Sequence, residues 1–142
     1  MNSRLNNYAK ASSAQFSINS AGLRKRSVTR QGGIVISRIW HGWTTPENAD
    51  AYESLLREEV FTGIKGRGIP GFVDIQMLRR PLGNEVEFVT IMRFESIDAI
   101  KMFAGEDYEA CVVPAKAREL LSRFDQRSQH YEIRISEKQA GV

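Results

Sequence analysis

The chain has 142 residues, of which 42% are hydrophobic and 26% are charged, a balance typical of one soluble globular domain. Its one cysteine, Cys111, excludes an internal disulfide and a thiolate zinc cluster, and it favours a reducing, cytoplasmic setting. A run of about eighteen apolar residues, the minimum for a spanning helix, is missing from the sequence, so we expect no membrane partner.

The net charge of +3 is unevenly distributed along the chain. The first 30 residues hold 6 of the 20 basic residues and no acidic one, so 14 basic residues remain against 17 acidic ones. We therefore predict a disordered basic tail over residues 1–32, for which an organellar targeting segment is the alternative. The rest of the chain is slightly acidic, which argues against a nucleic-acid partner. We assign residues 33–136 to one domain and residues 137–142 to a short C-terminal tail.

Turn and cap residues place the first elements of this domain. A strand is predicted from about Ile34 to Gly42. The segment Thr44-Thr45-Pro46-Glu47 then marks a helix start, because a hydroxyl caps free backbone amides, proline suits the first turn and an acidic side chain favours the positive end of the helix dipole. Apolar residues follow at helical spacing and predict an amphipathic helix: Ala49, Tyr52, Leu55, Leu56 and Val60.

Glycines and a proline between Gly63 and Gly71 end this helix, and a β-hairpin follows them. Its strands are predicted over Phe72 to Arg79 and Val86 to Phe94, joined by a turn at Pro81-Leu82-Gly83-Asn84.

The last third of the domain is predicted to add a helix and a strand. Ser96 caps a second helix that ends at Gly105, and a further helical stretch is predicted near Asp107, interrupted by Pro114. A fourth strand is predicted from Arg127 to Ile135. The order βαββαβ is that of a ferredoxin-like α+β fold with an antiparallel sheet.

The third predicted strand is apolar on both sides. One set of alternate positions is Phe88, Thr90, Met92 and Phe94, the other set contains Val89 and Ile91, and both sets are mostly apolar. Helices cover only one face of such a sheet, so apolar residues on the second face predict that a second copy of the chain covers it. We therefore expect a homodimer that encloses apolar cavities.

Four segments of the domain resemble the antibiotic biosynthesis monooxygenase domain, a family of the dimeric α+β barrels. They are Ser37-Arg38-Ile39-Trp40-His41-Gly42-Trp43-Thr44, Ile69-Pro70-Gly71-Phe72, Phe103-Ala104-Gly105-Glu106-Asp107 and His130-Tyr131-Glu132-Ile133. The resemblance covers about residues 33 to 135. It implies two sheets that meet back to back across a dimer axis, and it extends to a superfamily of oxygenases, haem-degrading enzymes, isomerases and members without known chemistry.

Other functional motifs are excluded by the predicted secondary structure or by the residues present. Gly66-Arg67-Gly68-Ile69-Pro70-Gly71 matches G-x-G-x-x-G, but it follows a helix and precedes a strand, the reverse of a dinucleotide site. An RNA-recognition module has the same strand order, but acidic residues and no glycine precede the third strand here. Two histidines and one cysteine are too few for a typical divalent metal site, and no G-x-S-x-G nucleophile motif occurs.

Cofactor-independent oxygenation of a small aromatic, such as a phenol, quinol or anthrone, suits an apolar cavity with a few polar groups. The protein then needs to hold an aromatic plane, move a proton, stabilise an anion and exclude water. The candidates for binding the substrate are Trp40, Trp43, Arg93 and Phe103, and the candidates for catalysis are Arg38, Tyr108 and His130, with His41 given the least weight. We expect no cofactor.

Arg38 and Trp40 lie on the same side of the predicted first strand and form the preferred pair. Trp40 and Trp43 are three residues apart, so they point to opposite sides and only one of them can line a given cavity.

Two alternatives to catalysis by the chain alone stay open. One is a non-catalytic homodimer that binds a small hydrophobic ligand. The other is haem binding or degradation, which in related folds uses a histidine and a tryptophan on the second helix. Phe103 takes the place of that tryptophan, and Cys111-Val112-Val113 takes the place of the histidine, so the sequence argues against haem.

Overall fold

Five strands, four α-helices and one π-helical turn make up the part of the chain that the structure, a computed structural model, describes, residues 33–140. The predicted basic tail over residues 1–32 lies outside this range. In chain order the elements are β1 (Ile36–Thr44), α1 (Pro46–Leu55), a π-helical turn (Leu56–Val60), α2 (Phe61–Gly66), β2 (Phe72–Leu82), β3 (Glu85–Phe94), α3 (Ile97–Ala104), α4 (Ala115–Leu120), β4 (Leu121–Phe124) and β5 (Gln129–Glu132).

The strands form one antiparallel sheet in the order β2-β3-β1-β4, and β5 also pairs with β1. Ile36 lies opposite Phe94 and Thr44 lies opposite Val86, so β1 and β3 pair along nearly their full lengths. The hairpin of β2 and β3 turns at Gly83-Asn84, as the sequence predicts. The ferredoxin-like α+β fold is confirmed.

The first helix begins where the sequence predicts, and it changes its winding before it ends. The Thr45 hydroxyl accepts a hydrogen bond from Asn48 N, and Pro46 occupies the first turn. At Leu56 the helix widens into a single π-helical turn, in which Phe61 N donates to Leu56 O, and α2 continues from there. Such turns occur frequently at functional sites, and this one lies directly over the sheet.

The helices cover one face of the sheet with two separate clusters of buried residues. The first cluster joins α3 to one end of the sheet and consists of Ile36, Ile69, Met92, Phe94, Ala99, Ile100 and Phe103. The second cluster joins α1 and α4 to the other end and consists of Ala49, Tyr52, Leu56, Val86, Phe88 and Ala117. On β3 the polar residue Thr90 lies between Phe88 and Met92, so the apolar core is interrupted at the middle of the sheet.

The opposite face of the sheet is apolar at its centre. Ile39 pairs with Ile91 across β1 and β3, and both side chains are half-buried. Leu78 lies opposite Val89 and is 47% exposed. Helices cover none of this face within the described residues.

Three details of the predicted elements are wrong. The stretch near Asp107 is not helical, because the carbonyls of Tyr108 and Ala110 bind a side chain of the sheet and Ala110 bridges to Arg127. The predicted fourth strand shrinks to β5, and β4 appears upstream of it. The bend between the two is fixed at Asp125, whose amide donates to His41 O at 2.9 Å. The first strand begins and ends two residues later than predicted.

The chain divides into two compact units at residues Val35/Ile36 and Tyr131/Glu132. The larger unit, Ile36–Tyr131, contains both core clusters. In the smaller unit, of which residues 33–35 and 132–140 are described, Ile133 N donates to Val35 O at 2.9 Å. Across the described range, every helix is too short or too polar to cross a membrane.

The loop before β2 supplies a test of the packing between sheet and helix. Gly68 and Gly71 both have positive φ angles, +60° and +89°, but only at Gly71 does an added Cβ approach a neighbour, Ala99 Cβ at 2.9 Å. We expect Gly68→Ala to lower the free energy of unfolding by about 1 kcal/mol, the cost of the left-handed backbone. Gly71→Ala is expected to cost about 3 kcal/mol because the overpacking against α3 adds to the same backbone cost.

Denaturant unfolding of the two variants and the wild type measures this difference. Equal losses of stability would contradict the close packing of this loop on α3.

Candidate functional site

A small cavity occupies the interruption between the two core clusters. Its volume is about 60 Å³. It adjoins a wider hollow of about 430 Å³, and the two share the side chains of Val60, Ile64, Phe103, Val112 and Pro114. We call these the inner cavity and the outer hollow. The inner cavity has room for a few water molecules or one edge of a ring, and the outer hollow is in the size range of small-molecule sites.

Arg38 is the charged residue of the inner cavity. It projects from β1 and is only 3% exposed. Its Nη1 donates to the carbonyl of Tyr108, and its Nη2 donates to the carbonyl of Ala110 at 2.9 Å. Nη1 also lies 3.1 Å from Nε2 of His130. The guanidinium is therefore fixed by the segment after α3 and by β5.

This arrangement determines the state of His130. A guanidinium can only donate, so His130 Nε2 accepts and the proton of the neutral ring lies on Nδ1. Burial, and then the positive charge of Arg38, lower the pKa of His130 to about 4. Nδ1 is buried and has no hydrogen-bond partner in the part of the chain that the structure describes. At neutral pH the ring is uncharged, and its free lone pair is already used by Arg38.

Arg38 itself keeps its charge at neutral pH. Burial lowers its pKa to about 10, and the ionised forms of Cys111 and Glu109 oppose this shift. In the described part of the chain no carboxylate forms an ion pair with Arg38. A buried cation whose partners are two carbonyls and a neutral imidazole is unusual, because burying a charge is costly unless an opposite charge compensates it.

Two aromatic residues line the cavity beside Arg38. The Trp40 indole donates from Nε1 to the carbonyl of Asp125 at 2.8 Å, which fixes the orientation of the ring. The ring of Phe103 lies under Arg38, with 5.3 Å between the guanidinium carbon and the ring centroid. Arg67 contacts the same ring at 5.5 Å and donates to the carbonyls of Met102 and Phe103, so it holds the end of α3 in place.

Three hydroxyl residues complete the polar lining, and the sequence reasoning missed all of them. They are Tyr52 on α1, Thr90 on β3 and Ser128 before β5. The hydroxyl of Ser128 is buried and has no hydrogen-bond partner within residues 33–140. Burial raises the pKa of Tyr52, so its phenol stays neutral. Thr90 had a signal in the sequence, because it is the polar residue within the buried side of β3. Ser128 had none, because its position depends on how the chain bends after β4.

The residues predicted from the sequence fall into three groups. Arg38, Trp40 and Phe103 line the inner cavity. Tyr108 and His130 contact Arg38 and lie outside the lining, with their rings edge to face at 5.2 Å.

Trp43 and Arg93 lie on the opposite face of the sheet. The Arg123 guanidinium stacks on Trp43 at 3.9 Å, and Arg93 pairs with Asp74. His41 shares that face, and its Nδ1 lies 3.0 Å from Asp125 Oδ2. The structure does not bring these three residues to the cavity.

Clusters of three or more His, Cys, Asp or Glu side chains that could hold a metal ion are absent from residues 33–140. Cys111, the one cysteine, is half-buried, and its amide donates to Gln126 O at 3.0 Å.

Comparisons with known proteins identify the fold. No protein-family model matches the sequence, and no curated protein is similar to it. A candidate antibiotic biosynthesis monooxygenase from Bacillus cereus has a similar structure, with a TM-score of 0.56 and 17% identity over 75% of this chain and 100% of that chain. A candidate antibiotic biosynthesis monooxygenase from Caulobacter crescentus has a TM-score of 0.50 and 16% identity, over 74% of this chain and 92% of that chain. A protein from Shewanella oneidensis has a TM-score of 0.50 and 15% identity, over 71% of this chain and 92% of that chain.

The resemblance to the antibiotic biosynthesis monooxygenase family is confirmed at the level of the fold. Sequence identities below 20% show a shared architecture, and function has to be argued from the site itself.

The low pKa of His130 predicts a specific pH dependence of stability. The ring has a pKa of 6.5 when unperturbed and about 4 in the folded chain, so the unfolded chain binds the proton more tightly. The contribution is fully present above about pH 6.5 and is lost as the pH falls toward 4. We expect a loss of about 2 kcal/mol, which allows for partial screening of the half-buried ring by solvent.

Denaturant unfolding at pH 7, 5.5 and 4.5 tests this expectation. The variant His130→Gln cannot titrate but keeps an oxygen that can accept from Arg38, so its stability should fall less over the same range. Parallel stability curves for His130→Gln and the wild type would show that His130 contributes no such pH dependence.

Proposed function

We propose that this chain binds a small planar aromatic molecule at the inner cavity and oxygenates it without a resident cofactor. The observation that carries the proposal is a buried cation, Arg38, that forms no ion pair among residues 33–140 and lines a largely apolar cavity together with Trp40 and Phe103. The fold likeness to candidate antibiotic biosynthesis monooxygenases supports it.

Each lining residue has a role in this proposal. Trp40 and Phe103 bind the faces of the aromatic rings, and Trp40 can do so because its indole is already oriented by Asp125. Arg38 stabilises the negative charge that develops on the substrate oxygen. His130 and the carbonyls of Tyr108 and Ala110 position Arg38. The inner cavity holds one edge of the substrate, and the remaining rings extend into the outer hollow.

The substrate supplies the electrons for the reaction. An anthrone loses a proton from its CH₂ group and becomes an enolate, which gives one electron to molecular oxygen. The two radicals combine to form a C–O bond, and the resulting peroxide takes up a proton. Loss of water then breaks the O–O bond and the remaining C–H bond and leaves a carbonyl. One CH₂ group and one O₂ thus become one C=O group and one water. The apolar lining keeps bulk water from the intermediates.

A catalytically silent protein that binds the same ligand is the second candidate function. It uses the same cavity and the same contacts, so only turnover separates the two. Haem binding, the third option raised by the sequence, is favoured by no contact of the described residues.

Oxygen consumption with an anthrone or a hydroquinone tests catalysis directly. We expect the metal-free wild type to exceed the uncatalysed rate. Trp40→Ala and Arg38→Ala should each lower that excess at least tenfold, because one removes the stacking surface and the other the charge that stabilises the anion.

Arg57→Ala is the control, since Arg57 is exposed and pairs only with Glu53 on the outside of the helix. Circular dichroism checks that each variant is folded. Wild-type turnover equal to the uncatalysed rate would eliminate catalysis with these substrates. Full activity in both cavity variants would refute the assignment of the inner cavity as the active site.

We further propose that a second copy of the chain covers the exposed sheet face. Its apolar centre consists of Ile39, Leu78, Val89 and Ile91. Ion pairs surround this centre and could fix the orientation of a partner: Asp74–Arg93, Arg80–Glu87 and Glu85–Arg123. A single antiparallel sheet with an apolar second face is expected to pair in this way.

Sedimentation of the full chain at micromolar concentration tests the dimer. Ile91→Lys should raise the dissociation constant at least tenfold, because it introduces a charge at the centre of the face. Met102→Lys serves as the matched control, since Met102 lies on α3 and is 56% exposed. A wild-type monomer at this concentration would refute the dimer.

A further inference from the structure

We infer that the inner cavity binds its ligand as an oxyanion, a phenolate or enolate held by Arg38 and Ser128, and that no residue of the cavity takes the proton. That the ligand is aromatic rests on the proposed function, whereas its negative charge is inferred only from the residues that line the cavity. The inference assigns Ser128 a role as an anion ligand and makes ionisation of the substrate a condition for binding.

Arg38 carries a charge that no ion pair within residues 33–140 compensates. Its partners are the carbonyls of Tyr108 and Ala110 and the neutral ring of His130. A guanidinium has five N–H groups, so two remain without a partner among residues 33–140. Glu109 acts on Arg38 through its charge but forms its ion pair with Arg127. An anion in the cavity would supply the opposite charge that this buried cation lacks.

The hydroxyl of Ser128 is a second group that a ligand could satisfy. This residue is 4% exposed, and its backbone is fixed by a 2.7 Å hydrogen bond from its amide to Glu109 O. Its Oγ has no hydrogen-bond partner among the described residues, although Ser128 lines the same cavity as Arg38. Buried hydroxyls normally donate a hydrogen bond. A hydroxyl without an acceptor, in the same cavity as a cation without an ion-pair partner among the described residues, therefore indicates that the ligand supplies the acceptor.

The inner cavity lacks a base among the residues that the structure describes. The lining that they form contains no aspartate, glutamate, lysine or histidine. Tyr52 is the one other titratable lining residue, and it stays a neutral phenol because burial raises its pKa. His130 lies behind Arg38, and its Nε2 is occupied. A substrate therefore has to lose its proton before it reaches Arg38, in water or at the entrance.

The charge of the entrance agrees with an anionic ligand. Arg67 and Lys116 line the outer hollow, and Glu59 is its one acidic residue. Glu59 is neutralised by Lys116 at 3.0 Å, which leaves the charge of Arg67 to attract an anion toward the cavity.

Binding of 4-nitrophenol to the full-length protein tests the inference. This compound ionises near neutral pH, and only its anion absorbs visible light, so one titration reports both binding and ionisation. We expect the affinity to rise with pH as the ligand ionises and to level off once ionisation is complete. We also expect the bound ligand to ionise about one pH unit or more below the free ligand.

The neutral isostere 4-nitroanisole controls for the protein's own titration. The titratable groups around Arg38 are His130, Cys111, Glu109, Tyr108 and Tyr52, and their effect on the cavity would appear equally with both compounds. We expect 4-nitroanisole to bind more weakly than 4-nitrophenolate and without the pH dependence of the phenol.

Ser128→Ala provides the decisive variant. It removes a hydroxyl that has no partner in the folded chain, so the protein should fold with little change in stability. The affinity for 4-nitrophenolate should fall about tenfold, as expected for a hydrogen bond to a charged group, and the affinity for 4-nitroanisole should not change. Ser122→Ala is the control, because the Ser122 hydroxyl is exposed and donates to Trp43 O on another part of the sheet.

Each outcome supports or overturns the inference. Preference for the protonated phenol, equal binding of 4-nitroanisole, or unchanged phenolate binding in Ser128→Ala would overturn it. Because 4-nitrophenol binding needs no oxygen, a protein that binds the anion but never consumes oxygen would refute only the oxygenase. Turnover of an anthrone by a protein that rejects 4-nitrophenolate would refute only the anion inference.

Discussion

A buried guanidinium connects the parts of this molecule that the sheet alone does not join. Arg38 projects from β1 into the core, and its hydrogen bonds reach the segment after α3 and the beginning of β5. The carbonyls of Tyr108 and Ala110 can bind it only because that segment is not helical. The same contact thus fixes an irregular loop, orients His130 and places a positive charge beside an apolar cavity.

The cavity exists because the core is interrupted. Thr90 replaces an apolar residue in the middle of the buried side of β3, and Arg38 does the same on β1. The π-helical turn at Leu56–Val60 spreads the first helix over this gap, so that the helix lines the opening without filling it. Interiors are normally packed without voids larger than a water molecule, so such a gap between two well-packed clusters is a feature of function more often than of stability.

The polar residues on the two faces of the sheet differ in whether they have partners. The face under the helices holds the cavity, and its charged residue lacks an opposite charge. The other face holds Trp43, Arg93 and His41, each of which is satisfied by a neighbour: Arg123, Asp74 and Asp125 respectively. Groups that already have partners suit a surface that packs against another protein. A cation without an ion pair and a hydroxyl without a hydrogen bond, among the described residues, are instead suited to bind a ligand.

Local patterns in the sequence predicted the regular elements well. Thr45 and Ser96 are helix caps in the structure, the β2-β3 hairpin turns at the predicted residues, and the order of elements leads to the ferredoxin-like sheet. Alternation along β1 also placed Arg38 and Trp40 on one side and Trp43 on the other. These features depend on near neighbours in the chain, where backbone sterics and period-two alternation decide the outcome.

The segment from Asp107 to Glu132 was the part that local patterns could not predict. Its backbone binds to residues far away in the sequence: Arg38 to Tyr108 and Ala110, His41 and Trp40 to Asp125, and Glu109 to Ser128. No short window of sequence contains both partners of such contacts.

The sequence by itself therefore determined the fold class, the faces of the strands and the preferred pair Arg38 and Trp40. Only the tertiary structure decided that His130 contacts Arg38, that Ser128 reaches the cavity and that Arg38 forms no ion pair within residues 33–140, because those facts arise where distant segments meet.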